Sequence, residues 1–368
     1  MALEQSPALR RGWTTGACAA AAAGAAFAAM LGGSFPNPVA IRLPRGGSAR
    51  FPLALAELCG DGARAGVIKD AGDDPDVTHG ALIVVETARA ARGAGILFAA
   101  GEGVGTVTRA GLRLAIGEPA INPGPRALIR ETLIDVAGEF GVAEPDVRVT
   151  IVIPGGARLA EKTMNARLGI IGGLSILGTT GVVIPYSCSS WIHSIHRGID
   201  VARAAGLRHI AASTGATSER AVQRLYDLPD HALIDMGDFV GGTLRYLRRH
   251  PVERLTIAGG FAKLAKLAAG QLDLHSSRSL VDIGWLAGML GDFGAEPAIV
   301  DAARAAGGAS EILRLAGDLR ETLACAVGRR AREVALAIAP EGIVVEVAIV
   351  DSQGEFLARV GGGWWSGS

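Results

Sequence analysis

The chain has 368 residues, 49% hydrophobic and 20% charged, and its 36 basic and 36 acidic side chains cancel. That is enough apolar material for two domains or one large one, and it excludes intrinsic disorder. Zero net charge also excludes the concentrated positive field of a nucleic-acid binder. The four cysteines, Cys18, Cys59, Cys188 and Cys325, form no C-x-x-C pair, so neither disulfides nor a structural zinc site is expected and a reducing compartment is the default.

In chain order, the first feature is RRGWTTGACAAAAAGAAFAAMLGG from Arg10. Two arginines before an alanine run with A-x-A sites fit an export signal. Alanine is also the best helix former and only weakly hydrophobic, so the same run fits a packed core helix. No stretch of eighteen strongly apolar residues appears, so no membrane span is expected, and Ala17–Gly33 is the only candidate. Short apolar runs then predict strands at Val39–Leu43, Arg50–Ala56, Ala65–Lys69, Ala81–Thr87 and Gly95–Ala99, separated by Gly, Pro and Asp. A helix is expected from Pro125, and VRVTIVIPGG reads as a strand entering a glycine turn. This half is α+β.

The rhythm changes near Ser187. Helix and strand alternate through RHIAASTG, HALIDMGD and RLTIAGG, which predicts an α/β part with a parallel sheet covered on both faces. Helices continue to about Ala339. Two last strands, IVVEVAIVD and EFLARVG, are expected to pair across SQG and to return to the first domain's sheet. The tail GGGWWSGS reads as loose. The expected division is 1–186, 187–300 and 301–368.

Several loops carry chemistry. KDAGDDPDVTHG gathers four aspartates and His79 between strands. It reads as a solvated turn, as a Mg²⁺, Ca²⁺ or general-base site, or as a device orienting a polar ligand, although EF-hand spacing is absent. In FAAGEGVGTVTRAGL, Gly101, Gly103 and Gly105 alternate, which lets a backbone approach a ligand or simply turn. In INPGPR, Asn122 caps a helix and Arg126 sits in its first turn, a place for an anion or a plain Pro-initiated start. A GTTG turn with Thr179 and Thr180 precedes a helix with His193 and His196, three apart. No second ligand pair follows, so no protein metal site is expected. STGATSE follows the first strand of the α/β part, Asp235 ends the second, and AGGFAKLAK ends the third with Lys263 and Lys266 one turn apart. Those are the places where open α/β sheets bind ligands, though a lone Gly215 leaves a dinucleotide fingerprint incomplete.

Taken together, LRRGWTTGACAAAAA, GDDPDVTHGA, GEGVGTVTRAGL, GEPAINPGPR, GGLSILGTTGVV, ASTGATSE, GGFAKLAKLAAG and LDLHSSRS resemble one family, the CbiD-type cobalt-precorrin-5B C1-methyltransferases of cobalamin (vitamin B12) biosynthesis. The likeness runs from about Leu9 to the C-terminal strands. One departure is FAKLAKLA, where the family usually has GKLAKLA. The resemblance implies an S5-domain-2-like α+β part joined to a Rossmann-like parallel-sheet part, unlike a class I methyltransferase. It implies methyl transfer from S-adenosyl-L-methionine to C1 of cobalt-precorrin-5B, giving cobalt-precorrin-6A, with the cobalt belonging to the substrate. WTTG and the alanine run would then belong to the mature, cytoplasmic enzyme. The expected cofactor contacts are Ser213, Thr214, Gly215, Thr217, Asp235, Gly259, Gly260 and Phe261. The expected macrocycle contacts are Thr14, Thr15, Gly16, Glu102, Gly103, Gly105, Asn122, Arg126, Thr179, Thr180 and Lys263. Asp74, Asp76 and His79 are the candidates for a catalytic base. The partner is a small-molecule corrinoid precursor, with no nucleic acid and no membrane; whether a homo-oligomer forms is left open. The rivals are a small-molecule kinase, a non-catalytic tetrapyrrole carrier, and a metal-free ring as substrate.

Overall fold

Helix α1 spans Thr15–Gly32. Thr14 caps it, its Oγ1 accepting from the Ala17 N–H at 3.2 Å, and left-handed Gly33 ends it. Every residue from Ala17 to Ala29 is buried. A helix apolar all round belongs in a core, and α1 fills that place. It packs on strands β1 (Gly62–Ile68) and β2 (Leu82–Arg89) and on helix α2 (Pro123–Glu139). Small residues allow the close approach: a Cβ on Gly24 would come within 2.8 Å of Thr132 Cγ2. The alanine run is therefore the central helix of a domain, and removing it would empty the core.

The structure is a computed structural model that describes residues 9–361; apart from Gly361, the GGGWWSGS tail lies outside them. The architecture is mixed α and β with several sheets. Met1–Ser187 and Cys188–Ser368 form two compact units. In the first, a five-stranded sheet runs in the order Leu55–Cys59, β1, β2, β4 (Val147–Val152), β3 (Ile96–Ala100). Its neighbours are antiparallel except β4 and β3, which run parallel. Alternate residues such as Ala63, Ala65, Ile83, Val85, Val149 and Ile151 enter the core around α1, the period of two expected of a strand. The single strand expected at Arg50–Ala56 is two, Ser48–Phe51 and Leu55–Cys59. Pro52 lies between them and has no N–H to give a ladder.

The second unit holds strands β5 (His209–Ser213), β6 (Leu233–Asp235), β7 (Arg254–Gly260), β8 (Val344–Val350) and β9 (Phe356–Val360). Their order is β6-β5-β7-β8-β9, parallel except for β9. Helix α3 (Cys188–Ala204) precedes β5; α4 (Ala216–Tyr226), α5 (Val240–Leu247) and α6 (Phe261–Ala268) follow β5, β6 and β7. Val222 of α4 packs with Ala211 on one face, whereas Val240 and Leu244 of α5 pack with Ile210 and Ala212 on the other. The terminal strands correct an expectation. They pair with each other, but β8 lies beside β7 and does not return to the first sheet. Six of its seven residues are buried, and all but Glu346 are apolar, as suits the interior of a parallel sheet.

Candidate functional site at the strand ends of the second unit

The order β6-β5-β7 means that the chain leaves β5 toward one side and then crosses back to the other. The crevice outside the carboxyl ends at such a reversal is where open α/β sheets take ligands. Register places Ser213 level with both Asp235 and Ala258. Ser213 is 1% exposed, and among the described residues its Oγ has no hydrogen-bond partner. A buried hydroxyl without a partner is costly unless something supplies one.

Two glycines open the neighbouring helices. Gly215 (φ 167°) precedes α4 and Gly260 (φ −71°) precedes α6. Both conformations are open to any residue, and a Cβ on either would meet no atom within 4 Å. Neither the backbone nor the packing calls for glycine there. Gly259 is different: a Cβ on it would lie 2.7 Å from Thr214 Oγ1. Lys263 Nζ donates to Thr214 O at 2.9 Å and pairs with Asp238 Oδ1 at 3.1 Å. From α6 it thereby ties together the loops after β5 and β6. Lys263 thus lies among the expected cofactor residues. Lys266 is buried and donates to Leu274 O at 2.9 Å. Thr217 stands beside the turn at Gly354, and Phe261 is part of the apolar core.

The loops of the first unit are arranged otherwise. Gly103 has φ +75°, and a Cβ on it would overlap the Ile153 carbonyl oxygen; only glycine fits. A Cβ on Gly105 would lie 2.9 Å from Gly173 O and overlap the Ile170 side chain. Arg126 donates to Ile121 O at 2.7 Å and Pro119 O at 3.2 Å, reaches Glu118, and lies over the Phe98 ring. Asn122 donates from both its backbone N and its Nδ2 to Ile176 O, each at 3.1 Å. Thr14 is occupied as a cap, and the Gly16 N–H donates to Leu177 O at 3.2 Å. Thr15 is buried. Thr180 Oγ1 bonds within its own turn, at Val182. Glu102 and Thr179 are exposed. A residue outside the expected set stands out: Arg109 has a buried Nη1 with no partner among the described residues. Its position in TRAGL, an arginine just after alternating glycines, was the available signal.

In the aspartate loop Asp74, Asp76 and His79 each have a structural partner. Asp76 pairs with buried Lys69 and accepts from Thr78 N at 2.8 Å and Thr78 Oγ1 at 2.6 Å. Burial pushes its pKa up, but Lys69 and Thr78 outweigh that and hold it below the usual carboxylate range. Asp74 accepts from Tyr186 N at 2.8 Å, and exposed His79 accepts at Nδ1 from Ala71 N at 3.1 Å, which puts its ring N–H on Nε2. Asp70 is held down at about 2 by hydrogen bonds from Arg10 and from Gly72 N. Arg10 therefore clamps this loop. His196 stacks on Tyr246 and Tyr246 on His250, with ring centroids 3.8 and 4.0 Å apart. Among the described residues no cluster of three or more His, Cys, Asp or Glu is placed to hold a metal ion.

The CbiD family model matches residues 2–185, and that of the CbiD C-terminal domain matches 273–361. The chain belongs to the CbiD family. Curated relatives include the cobalt-precorrin-5B C(1)-methyltransferase of Paramagnetospirillum magneticum, 57% identical over 97% of this chain and 99% of that protein. Proteins of the same name from a Bradyrhizobium species and from Brucella anthropi are 57% and 55% identical, over 95% and 96% of this chain and 93% and 96% of theirs. A solved structure described as cobalamin biosynthesis protein (cbiD) from Archaeoglobus fulgidus is 30% identical, with a TM-score of 0.40, covering 73% of this chain and 83% of that one. CbiD membership spans both units, so the loops of each belong to one family pattern.

Proposed function

We propose that this chain transfers a methyl group from S-adenosylmethionine to C1 of cobalt-precorrin-5B, in the cytoplasm. The observation that carries the reaction is likeness to proteins of that name along 97% of the chain. In this reading the first unit is S5-domain-2-like and the second Rossmann-like, and the strand ends of the second take the methyl donor. The residues there fit such a group. Ser213 Oγ lacks a partner among the described residues, Gly215 and Gly260 leave helix N-termini open to a carboxylate, and Asp235 ends the second strand, where an acid holds ribose hydroxyls.

S-adenosylmethionine supplies the methyl group when bound. The chain's part is to position it: holding donor sulfur and ring carbon in line, at near-attack distance, contributes much of the rate. The donor's positive charge disperses in the transition state, so exclusion of water helps. The macrocycle's carboxylates call for guanidinium groups, and Arg109, with its unpartnered Nη1, is the one we assign. If the ring sheds a proton, Asp74 is the best placed of the three candidates, because Asp76 is held by Lys69 and Thr78 and the Nδ1 lone pair of His79 is taken by the Ala71 N–H.

The test is anaerobic incubation with labelled S-adenosylmethionine and cobalt-precorrin-5B, read by mass spectrometry. One labelled methyl on the macrocycle is expected. Ring binding without transfer, by folded protein with intact substrate, would overturn the reading in favour of a carrier. Transfer confined to the metal-free ring would change the substrate, and ATP consumption would point to a kinase.

A further inference from the structure

Trp191 lies in the first turn of α3 and is 47% exposed. A large aromatic ring left half in water is unusual unless something covers it. Its orientation is nonetheless fixed. The indole Nε1 donates to Asp235 O at 3.2 Å, and a Cβ on Gly237 would lie 3.4 Å from Cε2, Cζ2 and Nε1. The indole is thus pinned against the backbone that leaves β6, beside the residue expected to take ribose hydroxyls. A base is one glycosidic bond from its ribose. Register puts Asp235 level with Ser213, whose hydroxyl has no partner among the described residues.

We propose that the Trp191 indole is the stacking platform for the adenine of the methyl donor, which makes it a positioning residue for that donor. This rests on the reading that the strand ends of the second unit hold S-adenosylmethionine. A ring already ordered by its hydrogen bond gives up little rotamer freedom on binding, so most of the stacking is retained as affinity.

The experiment titrates the full chain with S-adenosylhomocysteine and, separately, with adenosine, following tryptophan fluorescence and calorimetry. Binding is expected to quench the fluorescence, and Trp191→Phe is expected to abolish the quench while keeping the dissociation constant within about threefold, because a ring remains. Trp191→Leu is expected to weaken both ligands alike, by about tenfold. Thermal melts of both variants separate loss of affinity from loss of folding. Unchanged affinity in a folded Trp191→Leu variant, a quench that persists in Trp191→Phe, or equal weakening by the two substitutions would each overturn the proposal and leave the donor site standing. Calorimetry showing no binding of S-adenosylhomocysteine to the wild-type chain would overturn the donor site itself and the stacking with it.

Discussion

The glycine loops of the two units are alike as sequence and differ in what they are for. GEGVG, in the first unit, is consumed by the fold: Gly103 sits at φ +75° against the Ile153 carbonyl, and Gly105 abuts Gly173. Arg126 and Asn122, beside them, have given their donors to carbonyls of the same unit. At the strand ends of the other unit, Gly215 and Gly260 stand where any residue would fit, and Ser213 Oγ is left without a partner. The difference is between residues whose identity the protein itself explains and residues whose identity it does not. The latter kind is what the proposed donor site would account for.

The contrast can be broken most directly at the glycines. Gly103→Ala is expected to cost more than about 3 kcal/mol of stability, since it combines backbone strain with a steric overlap. Gly215→Ala should stay within about 0.5 kcal/mol of wild type by urea unfolding while weakening S-adenosylhomocysteine binding. Equal stabilities for the two variants would erase the distinction.

Arg109 sharpens it from the other side, as a residue of the first unit that the fold leaves partly unsatisfied. Arg109→Met is expected to lower kcat/KM for the macrocycle by about 100-fold, the scale of one charged hydrogen-bonded pair. The S-adenosylhomocysteine dissociation constant should not move. A variant with wild-type kinetics would return Arg109 to the structural class.

The smallest effect concerns a network that the fold explains completely. Buried Glu346 accepts from Tyr226 OH, Thr256 Oγ1 and Arg359 Nε, and His209 Nε2 bonds Thr256 Oγ1 at 2.9 Å. Burial holds the His209 pKa down at about 4, with Glu346 opposing and Arg254 adding to the shift. The folded chain therefore keeps this imidazole neutral while the unfolded chain protonates it below about 6.5. The His209 contribution to stability should be full above pH 6.5 and fall by about 1–2 kcal/mol toward pH 4, part of the shift being screened by solvent. His209→Gln should flatten that limb of the stability curve; an unchanged limb would place the proton elsewhere.

Much of this was legible in the residues. Period-two and helical runs located most strands and helices, and the alternation after Ser187 announced a parallel sheet, because local periodicity records which face is buried. What failed was long-range. Nothing local says which sheet VVEVAIV joins, and the split of Arg50–Ala56 turned on one proline in the ladder. Of the residues proposed for the site, Ser213, Asp235 and Gly260 could be named from the sequence by their places at strand ends. Arg109 and Trp191 were not, since an unpaired nitrogen and a half-exposed ring are properties of an assembled environment.

The sequence alone determined the family resemblance, the change of rhythm and the order of the loops, all of which follow from residue type and spacing. Tertiary structure decided that the alanine run is the buried helix at the centre of the first unit's core. It also decided that Arg10 is the clamp of the aspartate loop, and which glycines serve packing. The physical reason is that burial and hydrogen-bond satisfaction depend on neighbours distant in the chain, and those neighbours exist only once the chain has folded.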